Sequence, residues 1–158
     1  MIRKLILLLC LPIVACAPIS TSAIPPISPT DAELDAAMRQ ARDSLNEFVV
    51  RLGTPHAERT FAAVKVRFYP PDETPQEIWV DEVTYENDIF RGNVGDDIPG
   101  LKLEMGETIT VNKEDIVDWM IVEEGKLIGG YTIRLAVQRM SAEERQRFLE
   151  TLDYSIED

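Results

Sequence analysis

The spacing of hydrophobic residues changes once along this chain, close to His56, and this change most constrains the fold. Between Leu34 and Leu52 the apolar residues recur every three or four positions, which is the repeat of one face of a helix. Between Val64 and Tyr69 apolar and polar residues alternate, which is typical of a half-buried strand. The chain therefore predicts a helix that packs its apolar stripe against a sheet.

The first helix has clear start and stop signals. Thr30 and Glu33 form a capping box at its start, and Gly53 followed by Pro55 predicts its end. A stripe of this length could instead form a coiled-coil dimer, but alanine at one seam position favours packing against a sheet. The stripe consists of Leu34, Met38, Ala41, Leu45, Phe48 and Leu52.

The rest of the chain is typical of short strands separated by turn-forming residues, followed by one more helix. A second capping box, at Ser141 and Glu144, predicts the start of this C-terminal helix. Its inward-facing residues are Phe148, Leu149 and Leu152. We predict an α+β domain with an N-terminal helix, a curved antiparallel sheet of five to six short strands and a C-terminal helix. The predicted strands are Val64–Tyr69, Gln76–Val83, Ile89–Val94, Thr108–Val111, Ile116–Val122 and Leu127–Ile128.

Residues 1–15 have the three zones of a secretory signal peptide. Cationic residues 3 and 4 precede the apolar run Leu5–Leu11, which is too short to span a bilayer that needs about 20 apolar residues. The segment ends in Ile13–Cys16, which resembles the lipobox of bacterial lipoproteins, where cleavage precedes a cysteine that becomes lipid-modified. Cys16 is therefore the predicted lipid-attachment site. Ordinary cleavage after Ala15 or Ala17 is the alternative.

Cleavage before Cys16 changes the charge and the cysteine count of the mature chain. It leaves 14 Lys and Arg against 28 Asp and Glu, a net charge of −14, and a lipidated Cys16 with no cysteine partner.

Residues 16–29 are uncharged and rich in Pro and Ser, which predicts a lipid-anchored tether extending ~3.1 Å per residue. A recognised Pro-rich ligand is the alternative. Ala17, not Asp, follows Cys16, which in a Gram-negative host implies the outer membrane. Residues 30–158 then form a single globular domain.

Three blocks of this domain resemble one bacterial family. They are IWVDEV at Ile78–Val83, the predicted turn at Phe90–Gly92 and the run Ile116–Arg134. The stretch from about residue 61 to 148 resembles domain of unknown function 2314, the YegJ-like proteins. The resemblance implies a small compact domain, often behind a secretion signal, and supplies no catalytic residues.

The last block also holds the candidate binding surface, which consists of Asp118, Trp119, Gly129, Gly130, Tyr131 and Arg134. Neighbouring residues of a strand point to opposite faces. Trp119 is therefore either a core anchor, with Asp118 in an ion pair or satisfying a turn, or an exposed aromatic beside an acid. The glycine pair lacks the spacing of a phosphate-binding loop and favours a tight turn. We expect Arg134 to pair with Asp118, and anion binding is the alternative.

The composition excludes several classes of function. A net charge of −12 argues against nucleic acid, which requires a patch of Lys and Arg. Two cysteines and one histidine are too few for a Cys/His zinc site, and no acidic run has the spacing of a calcium loop. We therefore predict no metal and no cofactor, and we interpret His56 as a surface residue.

These observations predict a cell-envelope lipoprotein, anchored in the outer membrane and facing the periplasm. Its domain is predicted to be a non-enzymatic binding module for another envelope protein. A sharper hypothesis is an immunity or inhibitor protein against a basic toxin, because a negative field speeds capture of a cationic partner. The alternatives are a small hydrolase of cell-wall or sugar substrates that uses paired carboxylates, and a structural assembly factor.

Overall fold

The computed structural model describes residues 32–71 and 74–157 of the chain. The predicted signal peptide, Cys16, the predicted tether and Thr30 of the first capping box lie outside these residues. No helix within the described ranges is long and apolar enough to cross a membrane.

The described residues form four α-helices and one sheet of six antiparallel strands, so the predicted α+β class is confirmed. The strand order in the sheet is β4-β3-β2-β1-β5-β6. The strands are β1 Arg59–Phe68, β2 Gln76–Glu86, β3 Ile89–Val94, β4 Thr108–Val111, β5 Ile116–Glu123 and β6 Lys126–Gly129. The helices are α1 Ala32–Asp43, α2 Leu45–Gly53, α3 Tyr131–Arg139 and α4 Ala142–Leu149, and short 3-10 turns lie at Pro99–Leu101 and Lys113–Asp115.

The N-terminal helical region ends at Gly53 as predicted, but it is divided into two helices at Ser44. The Ser44 hydroxyl donates to the Gln40 carbonyl at 2.9 Å, a bond that competes with the helical ladder. The indole N–H of Trp119 donates to the Ala41 carbonyl at 3.1 Å, which in an unbroken helix would accept the N–H of Leu45. A side chain from β5 therefore stabilises the interruption.

Two hydrophobic clusters lie on opposite faces of the sheet. On one face, α1 and α2 place Ala41, Leu45 and Phe48 against Trp119 and neighbouring core residues. Phe48 lies 5.3 Å from Trp119 and 6.2 Å from Phe90 between ring centroids. On the other face, α3 and α4 cover β1, β5 and β6, and the cluster there contains no described residue of β3 or β4. All eight residues of β5 are buried as a result.

The predicted turn at Phe90–Gly92 is wrong, because these residues lie inside β3. The hairpin turn lies at Asn87 and Asp88, in the polar segment around residues 86–88 that the sequence predicts to join these two strands, and both residues have positive φ. The glycine at position 92 is required by a close approach: a Cβ there would lie 2.6 Å from the Asp81 carbonyl oxygen. The pairing of β2 with β3 is irregular between Asp81 and Thr84, and this irregularity brings the two backbones together.

The capping box that begins α4 is confirmed, since Ser141 and Glu144 exchange side-chain and backbone hydrogen bonds. The predicted inward face of this helix is largely wrong. Phe148 packs against the second cluster, but Leu149 is 36% exposed and Leu152 lies beyond the end of the helix. The preceding helix, α3, comes in addition to the two that the sequence pattern predicts.

Candidate binding groove

Asp118 is fully buried in β5 and stabilises the start of α3 from a distance. Its carboxylate accepts hydrogen bonds from the backbone N–H groups of Trp119, Tyr131 and Thr132, at 2.8, 3.2 and 2.7 Å. It also accepts the Thr132 hydroxyl at 2.7 Å. The residue before the helix is Gly130, which has no side chain to cap these donors. Asp118 therefore caps the N-terminus of α3 in place of an N-cap side chain, and the helix dipole favours its negative charge.

The environment of Asp118 acts on its pKa in two directions. Burial raises the pKa, while the hydrogen bonds from Thr132, Trp119 and Tyr131 lower it, and the net shift is upward. Lys65 lies opposite Asp118 in the β1–β5 register, and its Nζ is 3.5 Å from the Thr132 hydroxyl oxygen. The carboxylate is thus a satisfied structural group beneath the surface.

The expected ion pair between Asp118 and Arg134 is wrong. Arg134 donates to the backbone carbonyls of Gly129 and Leu127, both at 2.8 Å, and to the carbonyl of Glu157. It therefore stabilises the backbone around the β6–α3 turn and the C-terminal segment. The sequence could not predict this partner set, because backbone carbonyls carry no residue-specific signal.

Trp119 is a core anchor, the first of the two interpretations that the sequence leaves open. It is 1% exposed, its indole N–H also donates to the Ser44 hydroxyl at 3.0 Å, and its ring meets Tyr131 edge-on at 6.0 Å. Gly129 and Gly130 form the predicted tight turn, with φ of 71° and 64°. A Cβ at Gly129 would lie 2.5 Å from the Trp119 carbonyl oxygen, so this turn requires glycine.

A groove of about 1080 Å³ lies between the α1–α2 side of the molecule and the β5–β6 hairpin with α3. Four of the six candidate residues contribute to its lining: Trp119, Gly129, Tyr131 and Arg134. Asp118 and Gly130 lie buried beneath it. The sequence did not indicate the other walls, which include Ala37, Gln40, Arg51, His56, Glu123, Glu124, Lys126 and Gln138.

The charges along this groove are paired. Glu123, whose side chain is 7% exposed, accepts from Arg59 at 2.8 Å and from Arg51 at 3.1 Å. The other pairs are Glu47 with Arg51, Lys126 with Glu157, Glu33 with Arg139 and His56 with Glu124, the last at 3.7 Å if the histidine is protonated. Four of the five carboxylates that line the groove thus have an Arg or Lys partner, so the groove itself contributes little net field.

The opposite part of the sheet is different, and we call residues 81–115 the acidic end. This segment contains ten Asp and Glu against three Lys and Arg, a net charge of −7. Within the described ranges, none of these thirteen residues takes part in an ion pair. A second cleft of about 520 Å³ opens here beside Asp81, Glu82 and Met105. Burial, with a smaller contribution from the charge of Glu82, raises the pKa of Asp81.

The described residues contain no group of three or more His, Cys, Asp or Glu side chains that could hold a metal ion. The acidic runs of the sequence, which are Asp81–Glu82, Asp96–Asp97, Glu114–Asp115 and Glu123–Glu124, differ in their positions. Asp81 and Glu82 lie within β2, where Glu82 has a φ of 53°, and Glu123 is buried at the end of β5. Only the second acid of the last run, Glu124, lies in the turn itself.

The fold and the groove define a small α+β domain in which helix pairs cover both faces of an antiparallel sheet. The chain belongs to the family described as "Uncharacterized protein conserved in bacteria (DUF2314)", which matches residues 31–154. The match begins earlier than the resemblance at residues 61–148, since it includes both N-terminal helices.

Two bacterial proteins are similar to part of this chain. The chain is 36% identical over 99 residues to "Uncharacterized protein YegJ" of Escherichia coli (strain K12), covering 61% of this chain and 62% of the relative. It is 34% identical over 90 residues to "Putative ankyrin repeat protein NMB1133/NMB1171" of Neisseria meningitidis serogroup B (strain ATCC BAA-335 / MC58). That match covers 54% of this chain and 35% of the relative, so the chain spans less than two thirds of either protein. No solved structure gives a significant match.

Proposed function

We propose that this protein is a cell-envelope lipoprotein, anchored through Cys16, whose domain is a non-enzymatic binding module for a basic protein partner. The observation that carries the proposal is the separation of charge within the domain. Four of the five carboxylates along the groove are paired with Arg or Lys, whereas the acidic end holds a net charge of −7 without ion pairs among the described residues.

Uncompensated charge on one part of a surface acts on a partner before contact. Fields from unpaired carboxylates extend about 8 Å at physiological salt and raise the association rate of a cationic partner. Paired charges cancel at that distance. The acidic end is therefore the part of this domain that would attract a basic protein, such as a secreted toxin, and would repel an acidic one.

The proposed anchor is consistent with this role. A diacylated and N-acylated Cys16 would hold the protein at a membrane, because each buried CH₂ contributes about 0.8 kcal/mol. The first described residue, Ala32, lies three positions after the last residue of the predicted tether, Pro29. An extended tether of this kind, at ~3.1 Å per residue, would hold the domain tens of ångströms from the lipid surface.

Photocrosslinking in cells tests the proposed partner class. A photoreactive amino acid replaces Met105, which is 69% exposed at the acidic end, or Leu149 of α4 as a matched control, which is 36% exposed. We expect position 105, and not position 149, to capture a protein of high isoelectric point. Equal capture from both positions, or capture of an acidic protein, would contradict the proposal.

A charge-matched pair of variants tests whether the negative charge of the acidic end is what attracts the partner. One variant neutralises Glu86, Asp96, Glu104 and Glu107 as Gln or Asn, and the control neutralises Asp43, Glu58, Glu150 and Asp153, which are exposed elsewhere. Both lose four negative charges. We expect the adduct at position 105 to weaken only in the first variant, and an equal loss in both would show that net charge, not its position, controls binding.

A further inference from the structure

The two edges of the sheet differ in whether other parts of the chain cover them. The β6 edge is covered: the Leu127 N–H donates to the Ser155 carbonyl at 2.9 Å, and Lys126 bridges Ser155 in a parallel arrangement. Arg134 then donates to the Leu127 and Gly129 carbonyls. Main-chain groups along this edge are therefore satisfied within the molecule.

The β4 edge is open. Within the described ranges, no strand or isolated bridge pairs with the outer side of Thr108–Val111. The four residues are Thr, Ile, Thr and Val, so the strand carries none of the lysine, proline or internal bulge that usually protects an edge. All four are β-branched, which favours the extended conformation.

The pairing with β3 determines which main-chain groups point outward. The Val94 N–H donates to the Glu107 carbonyl at 2.9 Å. Main-chain groups of alternate residues point toward the partner strand in an antiparallel ladder, so the N–H and C=O groups of Ile109 and Val111 point toward β3. The N–H and C=O groups of Thr108 and Thr110 then face away from the sheet. Both threonines are exposed, so these four groups are accessible to another chain.

We infer that β4 is a docking edge, at which an extended basic segment of a partner protein adds a seventh strand to the sheet. Main-chain hydrogen bonds to Thr108 and Thr110 would hold the segment, as in other cases of β-strand addition. The choice of a basic occupant follows from charge, because the edge belongs to the acidic end, with its ten carboxylates and three cations. A second copy of this chain carries the same charge and is disfavoured. This inference rests on the proposed function only for the charge of the partner.

Proline at position 110 tests the edge without touching the β3 ladder. Thr110→Pro removes one outward N–H, and proline is tolerated where an edge N–H faces solvent. Thr110→Val is the matched control, since it keeps the N–H and the β-branched shape. The probe is an acetylated hexapeptide of alternating Lys and Val, with a Glu–Val peptide as the charge control.

We expect the Lys–Val peptide to bind the wild type and Thr110→Val within two-fold of each other, and Thr110→Pro at least ten-fold more weakly. Hydrogen exchange of the wild type should show new protection of the Thr108 and Thr110 amides with this peptide and none with the Glu–Val peptide. The hydrogen-exchange measurement needs no variant, so it tests whether the peptide pairs with β4 even if Thr110→Pro fails to fold.

Three results would overturn the docking edge. The first is equal binding to wild type and a folded Thr110→Pro, and the second is the absence of new amide protection at β4. The third is a homodimer that Thr110→Pro abolishes, since a second copy would then occupy the edge. Failure of the proposed function is distinguishable: the Glu–Val peptide would bind β4 as well as the Lys–Val peptide, or neutralising the acidic end would not weaken Lys–Val binding.

Discussion

The carboxylate of Asp118 accepts two hydrogen bonds from Thr132, one from the backbone N–H and one from the hydroxyl, both at 2.7 Å. The two residues lie on different elements, in β5 and in the first turn of α3. Their contact joins the sheet to the helix that forms one wall of the groove. These bonds hold the first turn of α3 against β5.

The pH dependence of stability should reveal the raised pKa of Asp118. A folded-state pKa above the unfolded value, here 3.8, means that the folded protein binds the proton more tightly. The free energy of unfolding of the wild type should then increase, relative to Asp118→Asn, as pH falls from neutral toward the unfolded pKa. Urea denaturation of both proteins across this range measures the difference. A difference that moves the opposite way would show that the hydrogen bonds outweigh burial and lower the pKa.

Gly129→Ala should destabilise the domain much more than Gly125→Ala. Both glycines have positive φ, 71° and 68°, but a Cβ at Gly129 would meet the Trp119 carbonyl and ring, whereas nothing lies within 4 Å at Gly125. We expect a loss of about 3 kcal/mol at Gly129, from backbone strain plus overpacking, and about 1 kcal/mol at Gly125 from strain alone. Thermal unfolding measures both. Similar losses at the two positions would contradict the close approach.

Glu123→Ala should cost about 3 kcal/mol of unfolding free energy, because it leaves Arg59 and Arg51 without their buried partner. Glu47→Ala is the matched control, since it removes an exposed partner of Arg51 and should cost less than about 0.5 kcal/mol. Urea unfolding of the two variants gives the comparison. If their effects were equal, the Glu123 network would not hold α2 against the end of β5.

Cys16→Ser should abolish incorporation of labelled palmitate and release the protein from the membrane fraction. The physical reason is that the predicted anchor is covalent and resides on one sulfur atom. Cys10→Ser is the control, because that residue is predicted to leave with the signal peptide. Unchanged labelling of Cys16→Ser would refute the lipoprotein assignment.

Much of the fold could be predicted from local patterns. The spacing of Leu34, Met38 and Phe48 indicates a buried helical face, and all three are buried. Strand β4 was predicted with the bounds that the structure has, Thr108–Val111. The Ser141 capping box is likewise confirmed. These features are determined by residues a few positions apart, which is the range over which periodicity and capping act.

The candidate site was only partly predictable. The sequence singled out Trp119, Tyr131 and Arg134, which contribute to the groove, but placed Asp118 beside them on a possible surface. Asp118 is instead buried under a turn that lies more than ten residues further along the chain. The walls formed by α1 and α2 carry no sequence motif, so they become part of the groove only through packing.

The sequence by itself determined the order of the strands, the first and last helical regions, the acidity of the chain and the glycine pair of the turn, because each depends on composition or on near neighbours. Only the tertiary structure decided the break at Ser44, the partners of Arg134 and which carboxylates are paired. Each of these depends on groups brought together from distant positions, such as the Trp119 indole and the Ala41 carbonyl. The net charge is a property of the sequence, but where that charge is left uncompensated is a property of the fold.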